Sequence, residues 1–118
     1  MKPTNLSTIV IPPVDIGLAI ITKLEIDLAH VNHGLEQLTK SYRSISRSNF
    51  SEVEVANIFS NLNGFFIRSS GKSGEYLYFT YVLEYLTKNY LLIFCVHKLT
   101  TDTAGIITLY QVKKRSKV

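Results

Sequence analysis

The segment Ile20-Ile21-Thr22-Lys23-Leu24-Glu25-Ile26-Asp27-Leu28-Ala29-His30-Val31 decides the fold, because the rest of the chain must pack against whatever it forms. Its apolar positions Ile20, Leu24, Leu28 and Val31, continued by Leu35 and Leu38, recur at steps of four, four, three, four and three. At about 100° per residue these positions make one stripe of an amphipathic helix. The spacing therefore predicts a first helix over roughly residues 14–38. Ahead of it, Ser7 to Ile11 reads as a short extended segment stopped by Pro12-Pro13, so that residues 1–13 form an N-terminal arm.

Behind the helix, Ser51 and Glu54 make a capping box in front of Val55, Ile58, Phe59 and Leu62, and Asn63-Gly64 supplies a left-handed stop. A second helix follows from that signature. Phe65 to Ile67 reads as a short strand, and the glycine- and serine-rich residues 68–74 as a loop. Tyr76 to Leu86 and Tyr90 to Lys98 are rich in Tyr, Phe, Val and Ile and are parted by Thr87-Lys88-Asn89, which predicts a hairpin. A loop over residues 100–105 would lead to a last strand, Ile106 to Lys113. The expected fold class is α+β, with two N-terminal helices packed on a three- to four-stranded antiparallel sheet.

A chain of 118 residues with 46% hydrophobic residues has material for one core, and no second domain is visible. The longest apolar stretch, residues 15–26, is too short to span a bilayer and contains Asp15, Lys23 and Glu25. The N-terminus lacks the pattern of a cleavable leader, so a cytoplasmic protein is expected, with no membrane partner. Cys95 is the single cysteine and sits in the apolar run Tyr90 to Val96, the setting of a buried structural thiol. Gly71-Lys72-Ser73 is not a phosphate-binding loop, since Phe66 stands where the leading glycine belongs and a strand follows.

The chain carries 13 Lys and Arg against 9 Asp and Glu, and four of the cations, Lys113, Lys114, Arg115 and Lys117, lie in a basic tail over residues 113–118. A second basic stretch interleaves Lys40, Arg43 and Arg47 with serines and has no carboxylate between Glu36 and Glu52. Both stretches can meet phosphate oxygens, although a serine-rich connection needs no function. Of the three histidines, His30 falls on the flank of the helical stripe, where it could face a cleft, and His33 points away from it. Equally, Asp27 and His30 can be a helix-surface pair. Two histidines at i, i+3 without a third ligand make no zinc site, so neither metal nor cofactor is expected.

Asp27-Leu28-Ala29-His30, Ile45-Ser46-Arg47, Leu62-Asn63-Gly64, Tyr90-Leu91-Leu92-Ile93-Phe94 and Ile107-Thr108-Leu109-Tyr110, in that order, resemble the small nucleases of the barnase/EndoU/colicin/RelE superfamily. The resemblance covers about residues 24–115. It implies a toxin-like or phage-associated endoribonuclease that works without metal, the ribose 2′-hydroxyl attacking the adjacent phosphate. On it, the catalytic residues would be His30, Arg47, Thr108 and Tyr110, and Lys40, Arg43, Lys113, Lys114 and Arg115 would hold the RNA. An antitoxin or immunity protein would be the natural inhibitor. The alternative is a noncatalytic binding module, itself an antitoxin, immunity or phage accessory protein, using the same sheet. Tyr76, Tyr78, Tyr81, Tyr85, Tyr90 and Tyr110 suit a partner surface as well as a core.

Overall fold

A computed structural model gives the fold and describes residues 6–28, Val31, 42–44 and 50–114, the side chains of 42–44 and Lys114 excepted. Seven strands form one sheet: β1 (Leu6–Asp15), β2 (Ile20–Asp27), β3 (Tyr42–Ser44), β4 (Gly71–Ser73), β5 (Tyr76–Tyr85), β6 (Lys88–His97) and β7 (Thr100–Lys114). A short helix, α1 (Glu52–Ser60), precedes β4. The strands lie in the order β1-β2-β7-β6-β5-β4, and β3 pairs with the far end of β7. Every pairing is antiparallel except that of β2 with β7.

This architecture corrects the expected fold class of two N-terminal helices on a small antiparallel sheet. The decisive segment is a strand over residues 20–27, and helical backbone starts only at Leu28, with Val31 also helical. Burial shows why. The helical stripe required Ile20 inside, yet Ile20 is 56% exposed while Ile21, Leu24 and Ile26 are fully buried. From Leu24 to Asp27 buried and partly exposed side chains alternate, as a strand covered on one face requires. The β-branched Ile20, Ile21, Thr22 and Ile26 favour that extended backbone.

Other boundaries shift with it. The expected arm is the edge strand β1, and Pro12-Pro13 interrupt its register between Val10 and Val14 without ending it. An edge tolerates residues that lack an N–H. Residues 65–67 form no strand, Gly71–Ser73 within the expected loop do, and Thr100–Gly105 belong to β7.

The hairpin of β5 and β6 is present, but its turn is Leu86-Thr87, both at positive φ, with Lys88 and Asn89 already paired in β6. The capping box is formed on both sides: the Glu54 N–H donates to Ser51 Oγ at 3.1 Å, and the Ser51 N–H to Glu54 Oε1 at 3.0 Å.

One face of the sheet carries the main core. Leu24, Ile26, Phe79, Leu92, Phe94, Ile106 and Leu109 pack there with Val55, Ile58 and Phe59 of α1 and with Leu62. Phe94 stacks on Phe79 at 4.8 Å and meets Phe59 edge to face at 5.1 Å. The opposite face holds a smaller cluster of Leu91, Tyr110 and Val112 with Val82 and Ile93 against it. Among the described residues no helix is long and apolar enough to cross a membrane.

Candidate functional site

The residues expected to cleave RNA do not assemble among the described residues. His30, Arg47, Lys40 and Arg115 lie outside them, as does His33, and so do the side chains of Arg43 and Lys114. Arg43 pairs through its backbone with Lys113, whose side chain is exposed. Thr108 and Tyr110 sit opposite Ile93 and Leu91 in β6. Both are more than nine-tenths buried, at 6% and 7% exposure, and Thr108 Oγ1 has no hydrogen-bond partner among the described residues. A proton donor for a substrate must be reachable by it, and these two face packed side chains.

What the strand register does assemble is an open cleft of about 230 Å³ on the face opposite the main core, lined by Glu25, Tyr76, Cys95, His97, Thr100, Thr103 and Gly105. Glu25 of β2 and Cys95 of β6 are both registered to Gly105 of β7, so one residue without a side chain separates a carboxylate from a thiol. A Cβ on Gly105 would stand 3.2 Å from Cys95 Sγ, a tight approach that the thiol would have to yield to. His97, two residues beyond Cys95 on the same strand face, pairs with Tyr76 of β5. Their rings meet edge to face at 4.9 Å.

The electrostatics narrow the chemistry. Burial pushes the Cys95 thiol above its ordinary 9.0; a hydrogen bond with the Gly105 backbone pulls it partly back, and Glu25 pushes it up again. A thiol held protonated is a poor nucleophile. His97 Nδ1 accepts the Leu99 N–H at 3.0 Å, which leaves Nε2 to carry the proton of the neutral ring. In that form the Nδ1 lone pair is already engaged, which makes the ring a poor general base. Lys23 shares the strand face of Glu25 but approaches Asp102, at 3.9 Å, and Asp102 also accepts the Thr103 hydroxyl at 2.9 Å. Among the described residues no group of three His, Cys, Asp or Glu side chains could hold a metal ion.

Sequence reading missed this cleft. Glu25 lies far from Cys95 and His97 in the chain, and only the crossing of β2, β7 and β6 brings them together.

A second surface feature lies at the turn between β1 and β2. The Gly64 N–H donates to Asp15 O and the Ile67 N–H to Ile16 O, both at 2.9 Å, tying the segment after α1 to that turn. Leu18 and Ile20 on one side of this tie and Phe65 and Phe66 on the other stay at least half exposed, Phe66 with its ring beside Gly17 and Phe65 with its ring 6.4 Å from that of Tyr81. Comparison with known proteins finds no matching family model, no matching curated protein and no matching solved structure.

Proposed function

We propose that the chain is a noncatalytic binding module for a protein partner. The observation that carries this is the exposure of four large apolar side chains, Leu18, Ile20, Phe65 and Phe66, on two segments that backbone hydrogen bonds tie together. Exposed aromatic and aliphatic side chains on an ordered surface are what protein interfaces use at their centres.

Cleavage of RNA through the 2′-hydroxyl has less support, because Thr108 and Tyr110 are enclosed. Cytoplasmic placement belongs to the same proposal and rests on the single cysteine, which has no internal partner.

The test is a peptide-display selection on the folded protein, counter-selected on Phe65→Ser/Phe66→Ser, beside incubation of total RNA with the protein in EDTA. Apolar peptides that depend on the two phenylalanines, together with intact RNA, are the expected result. Metal-independent fragments with cyclic-phosphate ends that persist through purification would overturn the reading and restore the ribonuclease.

A further inference from the structure

We infer that the Glu25 cleft is a binding site for a guanidinium group, separate from the apolar patch. Among the described residues Glu25 is the only charged side chain lining the cleft, and it has no ion pair with any of them. The cation nearest to it in sequence, Lys23, is drawn to Asp102. A carboxylate in such a position attracts a cation and repels phosphate or carboxylate ligands.

The shape and the other lining groups select the kind of cation. The cleft, at about 230 Å³, is smaller than the roughly 300–1,000 Å³ of whole-ligand pockets and matches a side-chain-sized group. Tyr76 and His97 meet at an interplanar angle of 87°, so whichever ring presents its edge, at least one face of Tyr76 is not covered by His97. A planar cation can lie on that face while its fork of N–H groups reaches Glu25 and the hydroxyls of Thr100 and Thr103. An ammonium ion offers no such plane. The protonated thiol of Cys95 adds no competing charge.

Titration of the whole chain with N-acetyl-arginine methylamide, followed by amide chemical shifts, tests this. Shifts should appear at Glu25, Tyr76, Cys95 and Gly105, and Glu25→Gln, which keeps the shape, should weaken binding at least tenfold. The matching citrulline compound, planar but neutral, should not bind, and the lysine compound should bind several-fold more weakly. Methylguanidinium as a further arm separates the sources: equal affinity per site points to a small cation, and tighter binding of the arginine compound to a partner's side chain. Absent shifts, equal binding of citrulline, or an unchanged Glu25→Gln titration with a native amide spectrum would each overturn the inference. Loss of binding in Tyr76→Leu with Glu25→Gln unaffected would also overturn it, since the charge would then play no part.

Discussion

The ring of Phe66 occupies the space that a side chain on Gly17 would need, its Cγ lying 2.9 Å from the point where a Cβ would stand. Gly17 also has a φ of +92°, so the turn between β1 and β2 demands glycine twice, for its backbone and for its neighbour.

Gly17→Ala should therefore destabilise the fold by about 2 kcal/mol or more, the strain of a left-handed residue added to the displacement of an aromatic ring. Phe66→Ala in the same chain should recover the steric part and leave the backbone part. Urea melts of the two single variants and the double variant measure this directly. Additive losses would mean that the ring and the glycine do not compete for the same space.

Thr108 carries a buried hydroxyl with no partner among the described residues, which costs about 1–3 kcal/mol relative to a satisfied or absent one. Thr108→Val keeps the shape and removes the hydroxyl, so the melting temperature should rise. A fall would show that the hydroxyl is bonded in solution.

Leu86 and Thr87 turn the β5–β6 hairpin with φ of 51° and 68°, a geometry that two-residue hairpins normally give to Asn-Gly. Replacing the pair by Asn-Gly should stabilise by about 1–2 kcal/mol through relief of left-handed strain. Unchanged chemical denaturation would show that Leu86, largely exposed, earns its place through a contact of its own.

Alkaline titration tests the cleft from another side. The Cys95 thiol is raised by burial first, and burial followed by the nearby Glu54 raises Tyr90 in the same sense. A raised folded-state pKa means that stability is fully present below the unfolded value and is lost as pH climbs through the folded one. Stability should thus hold to about pH 9 and fall above it, less steeply in Cys95→Ala. Alkylation of Cys95 should begin at a higher pH than that of a free thiol, and Gly105→Ala should disturb that profile by crowding Sγ.

The parts of the fold legible in the sequence are those whose partners are near in the chain. The capping box of Ser51 and Glu54 is complete within four residues, and β5, β6 and most of β7 form a meander in which each strand pairs with the next. Ile20 to Val31 misleads because Leu24 fits a helical stripe through Ile20 and Leu28 as well as an alternation with Ile26. The run of β-branched residues is the local signal for a strand, and the longer periodic pattern overlies it. The polar start of β7 is extended because β2 pairs with it from Lys23 to Ile26, a partner that no local pattern announces. The Glu25 cleft was illegible for the same reason.

That parallel seam between β2 and β7 also governs how the molecule can be made. The N-terminal hairpin emerges from the ribosome long before the strand that receives it, so Leu24 and Ile26 must wait through the synthesis of everything between, with one edge of β2 unpaired. Closing such a distant pairing is slow. A nascent chain halted before residue 103 would display a sticky ribbon instead of half a finished domain, and molecular chaperones would have their longest opportunity in that interval.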